Sequence, residues 1–326
     1  MKCLLTSKDP YQSNLTDLKL PDIEDGEVEI AVEYSSVNYK DALAVTGKGR
    51  ILRSFPLVAG IDAAGSVRKS KSSQFKEGET VLVTGCGLGE TRSGGFAETI
   101  QVPESWVIAM PKSLSAREAM IYGTAGFTAG LCLLRMEQMG QKPSLGPILI
   151  SGASGGVGSL ATAILSTAGY EVHACSGKPE QHESLKKLGA KKILAPGELL
   201  DNPSRPLESA EFAGAIDNLG GSMLHALLAR IQLWGNVACV GLAMSHELNT
   251  TVMPMILRGV SLLGISSANT PRVMREELWQ KLSGNWKPEH LTDIVSGEIG
   301  LKDLNAFAED MIAKKTFGRT LVNLNR

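Results

Sequence analysis

The feature that most constrains this chain is one junction. The apolar run Pro147-Ile148-Leu149-Ile150 enters Ser151-Gly152-Ala153-Ser154-Gly155-Gly156-Val157-Gly158, and Leu160, Ala161, Ile164, Leu165 and Ala168 follow at helical spacing until Gly169. The order is strand, tight turn, helix. Ala153-Ser154-Gly155-Gly156-Val157-Gly158 fits G-x-G-x-x-G with alanine in the first glycine position. Glycines permit close approach, and a helix N-terminus presents unpaired N–H groups and a partial positive charge. The turn from Ser151 to Gly158 is therefore expected to hold a dinucleotide's pyrophosphate. The same residues spell Gly152-Ala153-Ser154-Gly155-Gly156, the G-x-S-x-G elbow of a serine hydrolase, with Asp217 and His225 or His246 following in triad order. Neither histidine lies in a segment that announces a catalytic loop.

The next strand end bears on the cofactor. A carboxylate for the NAD ribose is expected about 20 residues past the glycines, but the chain reads Cys175-Ser176-Gly177-Lys178. A hydroxyl and a cation suit a 2′-phosphate, so NADPH is expected over NADH.

At 326 residues the chain exceeds one ordinary core, and two domains are expected. Up to about residue 110 the runs are short and β-like: Val28, Ile30 and Val32 alternate, then Leu57-Val58-Ala59, Gly65-Ser66-Val67, Thr80–Val83 and Ala97–Val102 are set apart by Gly, Pro, Ser and Lys. Ser115, with Glu118 three residues on, is placed to cap a helix from Ala116. Beyond it, Pro147–Ser151, Tyr170–Ala174, Lys192–Leu194, Ala215–Asp217, Val237–Val240 and Leu262–Ile265 alternate with helical patterns, as in a parallel βαβ sheet. A helical pattern around Glu276–Leu282 and a closing strand Arg319–Leu324 are expected to return to the first domain, giving bounds of 1–119 with 268–326, and 120–267.

Lys and Arg number 33 against 34 for Asp and Glu, so nucleic-acid and anionic-membrane partners are not expected. No run approaches the ~20 apolar residues of a membrane span. Cys3, Cys86, Cys132, Cys175 and Cys239 stand singly, and the five histidines lack ligand spacing, so a reduced, cytoplasmic protein without a metal is expected.

Longer stretches carry a resemblance: Ser36-Val37-Asn38-Tyr39-Lys40-Asp41-Ala42-Leu43, Thr46-Gly47-Lys48-Gly49-Arg50, Gly60-Ile61-Asp62, Gly123-Thr124-Ala125-Gly126-Phe127-Thr128-Ala129, Thr251-Val252-Met253-Pro254 and Phe317-Gly318-Arg319-Thr320-Leu321-Val322. With the phosphate turn, these resemble the zinc-free, quinone oxidoreductase-like branch of the medium-chain dehydrogenase/reductase superfamily, and within it the bacterial NADPH-dependent acryloyl-CoA reductase group. The resemblance implies a GroES-like β-barrel catalytic domain joined to a Rossmann domain, with the active site in the cleft, and a homodimer formed through the last Rossmann strand. Where zinc-dependent relatives carry an early Cys, Gly-His-Glu and a four-cysteine lobe, this chain has Asn38-Tyr39, Gly60-Ile61-Asp62 and Cys86 alone.

Carried over by resemblance, cofactor contacts fall on Tyr39, Ser154, Gly155, Gly156, Val157, Ser176, Gly177, Lys178, Lys192, Leu242, Ile256, Ser267 and Arg319. Relatives more often have arginine at the positions of Lys178 and Lys192. The implied reaction is hydride transfer from NADPH to Cβ of an acryloyl thioester. Tyr39 is the candidate to orient the nicotinamide ribose and lend a phenol, with Asp41 expected to fix Lys40 or Tyr39 or to cap the following helix. Lys48, Arg50 and Arg53 are candidates for the CoA phosphates. An NADPH:quinone oxidoreductase is the neighbouring alternative; the serine hydrolase using Ser154 and a non-catalytic NADPH-binding protein are the alternatives of other classes.

Overall fold

A computed structural model describes residues 1–201 and 205–326. Contacts divide these into two compact units, Met1–Thr124 with Ala268–Trp279 and Val295–Arg326, and Ala125–Ser267 with Gln280–Ile294. The division differs from the sequence-based bounds at 120–124 and 280–294. At Thr124/Ala125 and Trp279/Gln280 the chain changes unit inside a helix, where no loop-like composition marks the passage.

In chain order the first unit begins β1 (Lys2–Lys8), β2 (Tyr11–Asp17), β3 (Glu27–Ser36), α1 (Tyr39–Thr46), β4 (Leu57–Val58), β5 (Asp62–Ser70), β6 (Thr80–Thr84), β7 (Thr99–Pro103) and β8 (Ile108–Ala109). Helix α2 (Ala116–Gln138) passes into the second unit, which continues β9 (Ile148–Ile150), α3 (Gly156–Thr167), β10 (Val172–Cys175), α4 (His182–Lys187), β11 (Ala190–Leu194) and α5 (Pro196–Leu200). It goes on with β12 (Phe212–Asp217), α6 (Gly221–Leu228), β13 (Ile231–Cys239), α7 (Met253–Arg258) and β14 (Ser261–Gly264); α8 (Arg272–Ser283), β15 (Val295–Ile299), α9 (Leu304–Ile312) and β16 (Arg319–Asn323) close the chain.

The first unit holds a small sheet ordered β2-β1-β4 and a larger one ordered β15-β16-β3-β5-β6-β8, with β7 also paired to β3. Val28, Ile30 and Val32 of β3 pack with Val67, Val81, Val83, Ile100 and Val102 in one core. The intervening Glu27 and Glu29 are buried too, which the alternation did not foretell; Arg92 and Gln101, respectively, bond their carboxylates. Leu57-Val58 belongs to the small sheet and pairs with β1.

The second unit carries a parallel sheet ordered β11-β10-β9-β12-β13-β14, the doubly wound arrangement expected from strands alternating with helices. The order reverses between β9 and β12, and ligands of such sheets bind at the carboxyl ends of the strands there.

Ser115 and Glu118 form the expected capping box at the start of α2. Gly123, at φ 48 and ψ −155, interrupts that helix. By length and composition α2 can cross a membrane, contrary to the expectation of no such run, yet 89% of its apolar window is buried, as in a core helix.

Candidate active site

In the second unit β9 delivers the chain to the phosphate turn at the reversal point. Ala153 N–H bonds Cys175 O at 3.0 Å, stitching the turn to the end of β10, and Gly155 N–H bonds Gly152 O at 3.0 Å. Gly158 lies so close beneath that a Cβ there would stand 2.4 Å from Gly152 O and 2.6 Å from Ala153 Cα, which explains its lack of a side chain. The first turn of α3 carries no charged residue, so its open N–H groups meet an anion without a repelling acid. Gly155 is exposed, and Ser154, Gly156 and Val157 are partly so.

Ser176 Oγ donates to Ser154 Oγ at 3.2 Å and accepts Lys178 N–H at 3.2 Å, bringing the 176–178 loop beside the turn. Lys192 is exposed on β11 opposite His173, two residues before Leu194 draws level with Cys175. Leu242 and Ser267 follow the carboxyl ends of β13 and β14, and Leu242 is largely exposed. Ile256 instead lies on α7, which leads into the start of β14, and is exposed as well.

One link here was not anticipated. Ser151 Oγ donates to Asp217 Oδ1 at 2.6 Å, and the same carboxylate accepts Leu219 N–H at 3.3 Å and Gly220 N–H at 2.7 Å. Asn218 Nδ2 returns to Ser151 O at 2.7 Å. Asp217 thus ties the residue before the turn to the loop after β12, across the reversal point. This employment also removes the elbow reading: Asp217 serves Ser151, and among the described residues neither His225 nor His246 bonds it or Ser154.

In the first unit Tyr39 opens α1 and stands half exposed at 50%. Asp41 is 1% exposed and fixes neither neighbour as expected: Lys40 Nζ pairs with Glu90 at 3.0 Å. Asp41 Oδ2 accepts the Asn38 N–H at 2.9 Å and Nδ2 at 3.0 Å, while Oδ1 accepts Ile61 N–H at 2.9 Å. It is the third residue of the helix, closing a capping box on Asn38, and is not itself the cap.

Burial pushes the Asp41 carboxyl up to about 7, and the charge of Asp62 adds to the effect. The folded protein therefore holds this proton more tightly than the unfolded chain, where aspartate titrates near 3.8. The stability owed to that proton is complete below about pH 4 and lost as pH rises through about 7. A carbon-13 carboxyl titration should find the Asp41 midpoint near 7; a midpoint below 4 would overturn this assignment.

Arg319 is 2% exposed and engaged within its own unit: Nε donates to Ile121 O at 3.0 Å, Nη1 to Val37 O and Asn38 Oδ1 at 3.2 Å each, and Nη2 to Ser36 Oγ at 2.6 Å. Asp62, fully buried, stands 4.0 Å from it. Of the proposed CoA contacts, Lys48 pairs with Glu309 at 2.6 Å, whereas Arg50 and Arg53 are exposed and enter no ion pair among the described residues.

Residues 24–112 match the family described as alcohol dehydrogenase GroES-like domain, and residues 156–284 that described as zinc-binding dehydrogenase. The probable acrylyl-CoA reductase AcuI of Escherichia coli K12 is 48% identical, over 95% of this chain and 94% of its own. The putative quinone oxidoreductase YhfP of Bacillus subtilis is 41% identical over 97% and 96%, and the crystal structure of B. subtilis yhfP with NAD bound superposes with a TM-score of 0.95 over 99% of each chain, at 40% identity. The crystal structure of E. coli K-12 YhdH with bound NADPH gives 0.94 at 46% identity, covering 100% of both chains.

The second family's description implies zinc, and the donors present do not fit it. Among the described residues no three of His, Cys, Asp and Glu gather. Asp62 spends its oxygens on Ser36, Asn38 and Thr124, and Ile61 beside it offers no donor.

Proposed function

This chain belongs to the medium-chain dehydrogenase/reductase superfamily, in its quinone oxidoreductase-like branch, and from that premise we propose that it is an NADPH-dependent acryloyl-CoA reductase. The observation that carries the cofactor is the loop 176–178, which offers a hydroxyl and a cation beside the phosphate turn and no carboxylate. The substrate rests on the 48% identity to an acrylyl-CoA reductase along nearly the whole chain.

Bound NADPH supplies the hydride that the electrophilic Cβ of the acryloyl thioester accepts. The N–H groups at the start of α3 hold the pyrophosphate, and Ser176 and Lys178 take the 2′-phosphate. Lys192, Leu242, Ile256 and Ser267 remain further cofactor contacts proposed from the family pattern, whereas Arg319, 2% exposed and with its guanidinium bonded inside its own unit, is not kept among them. Tyr39 orients the nicotinamide ribose and offers its phenolic proton toward Cα, a group whose hydroxyl makes no hydrogen bond among the described residues. Asp41, being buried, serves by holding Asn38 rather than by touching substrate. Arg50 and Arg53, exposed and without an ion pair among the described residues, meet the CoA phosphates, with Lys48 beside them.

The test is the steady-state rate of NADPH oxidation with acryloyl-CoA, crotonyl-CoA and a benzoquinone side by side. The highest kcat/KM is expected with acryloyl-CoA. A higher value with the quinone would favour the second reading, for which the relative YhfP speaks.

The protein acts as a homodimer. Among the described residues β14 pairs on one side only, and Leu233, Trp234, Val252, Ile256 and Leu257, all at least 57% exposed, lie on β13, on α7 and just before it. Exposed apolar side chains beside an open strand edge fit a second copy of the same surface. Sedimentation should give twice 34.7 kDa for the native protein and 34.7 kDa for Trp234→Asp/Ile256→Asp; a native monomer would refute the dimer. We place the protein in the cytoplasm: its five cysteines are free, and burial pushes the Cys132 and Cys175 thiols up, leaving them protonated and unreactive.

A further inference from the structure

Three ionisable side chains are buried together in the first unit: Asp41, Asp62 and Arg319, each 2% exposed or less. Burying an ion costs several kcal/mol unless its partners restore what water supplied. An eight-residue helix needs no such apparatus for its start, since one neutral cap suffices.

What the three side chains share is Asn38. Its Nδ2 donates to Asp62 Oδ2 at 2.7 Å and to Asp41 Oδ2 at 3.0 Å, its Oδ1 accepts from Arg319 at 3.2 Å, and its N–H reaches Asp41 at 2.9 Å. Its carbonyl accepts Ala42 N–H at 3.1 Å, so every polar group of Asn38 is engaged. The amide orientation is set by Asp62 and Arg319, because a flip would put its oxygen against the Asp62 carboxylate and its NH2 against a guanidinium. Arg319 also holds Val37 O, the carbonyl of the preceding residue.

The charges are themselves placed by the sheet. β3 pairs with β16 through Leu321 and Ser36, a register that carries Arg319 opposite Asn38, and its register with β5 carries Asp62 opposite Ser36. Ser36 Oγ donates to Asp62 Oδ2 at 2.6 Å and accepts from Arg319 at 2.6 Å. Thr124 completes Asp62 with N–H at 2.9 Å and Oγ1 at 2.6 Å. Gly123 leaves the space: a Cβ there would come within 2.5 Å of Asp62 Oδ2 and 2.8 Å of Arg319 Nη2.

We propose that Asp62 and Arg319 are positioning residues for the reduction, which act through Asn38 to fix the backbone from which Tyr39 projects. Tyr39 has no side-chain bond of its own among the described residues and is half exposed, so its placement comes from the residue before it. A phenol that must meet a reacting carbon within a fraction of an ångström needs such a rigid base. The proposal rests on the role given to Tyr39 above.

A double-mutant cycle tests it, with Asp62→Asn and Tyr39→Phe made singly and together and read as kcat and KM for acryloyl-CoA. Asp62→Asn is expected to lower kcat about tenfold when Tyr39 is present and to add little, at most about twofold, to Tyr39→Phe, with KM nearly unchanged in both backgrounds. A general weakening of the fold would lower both backgrounds alike, so equal losses overturn the proposal while leaving the role of Tyr39 intact. An unchanged kcat for Tyr39→Phe alone overturns both. Should Asp62→Asn fail to give a cooperative thermal transition, Ser36→Ala replaces it in the same cycle, removing only the hydroxyl between the two charges, with the same two outcomes deciding.

Discussion

Tyr39→Phe is expected to lower kcat for acryloyl-CoA about a hundredfold, since a positioned proton donor contributes ~10²–10⁴ in rate. The fold should survive, because the hydroxyl lost has no partner among the described residues and no buried group is left unsatisfied. Thermal midpoints within about 2 °C of the native protein, together with an unchanged Kd for NADPH, would tie the loss to the chemical step. A native rate in this variant would reduce Tyr39 to a surface aromatic and remove the phenol from the mechanism.

The second large effect concerns cofactor choice, which relatives leave open: YhdH was solved with NADPH and yhfP with NAD. Lys178→Ala is expected to weaken NADPH binding roughly ten- to a hundredfold while hardly altering NADH. A charge-assisted hydrogen bond is worth ~1.5–3 kcal/mol and each ~1.4 kcal/mol is tenfold in Kd. NADH has no 2′-phosphate to lose. Raised ionic strength should narrow the native preference, because Lys178 is only partly buried and its charge is screened. The pair of dissociation constants decides the matter. Equal weakening of both cofactors would mean that Lys178 supports the loop, whose backbone already leans on Ser176, instead of reading the phosphate.

Some of this molecule is written in short stretches of chain. The six parallel strands, the phosphate turn and the capping box at Ser115 were all legible, because periodicity, glycine tolerance and capping act between residues a few positions apart. The loop 176–178 was legible from its missing carboxylate, and its neighbourhood to the turn was then met in the Ser176–Ser154 bond, whereas the resemblance placed Tyr39 beside the nicotinamide. The hairpin of β1 and β2 was missed, since a seven-residue strand starting at Lys2 shows little alternation.

Other features waited on packing. Asp41 reads as an ordinary helix-start acid until its 1% exposure and the nearby Asp62 turn it into a carboxyl that keeps its proton to about pH 7. Asp217 reads equally well as a triad acid or a strand end, and only its 2.6 Å bond to Ser151 decides. Asp62 and Arg319, 257 positions apart by their numbers, carry no local signal of partnership. Backbone preference is a property of neighbours in sequence and can be read there. The energy of a charge depends on how much water it keeps and which distant groups replace that water, and both are set when the β3, β5 and β16 registers bring Asn38, Asp62 and Arg319 together.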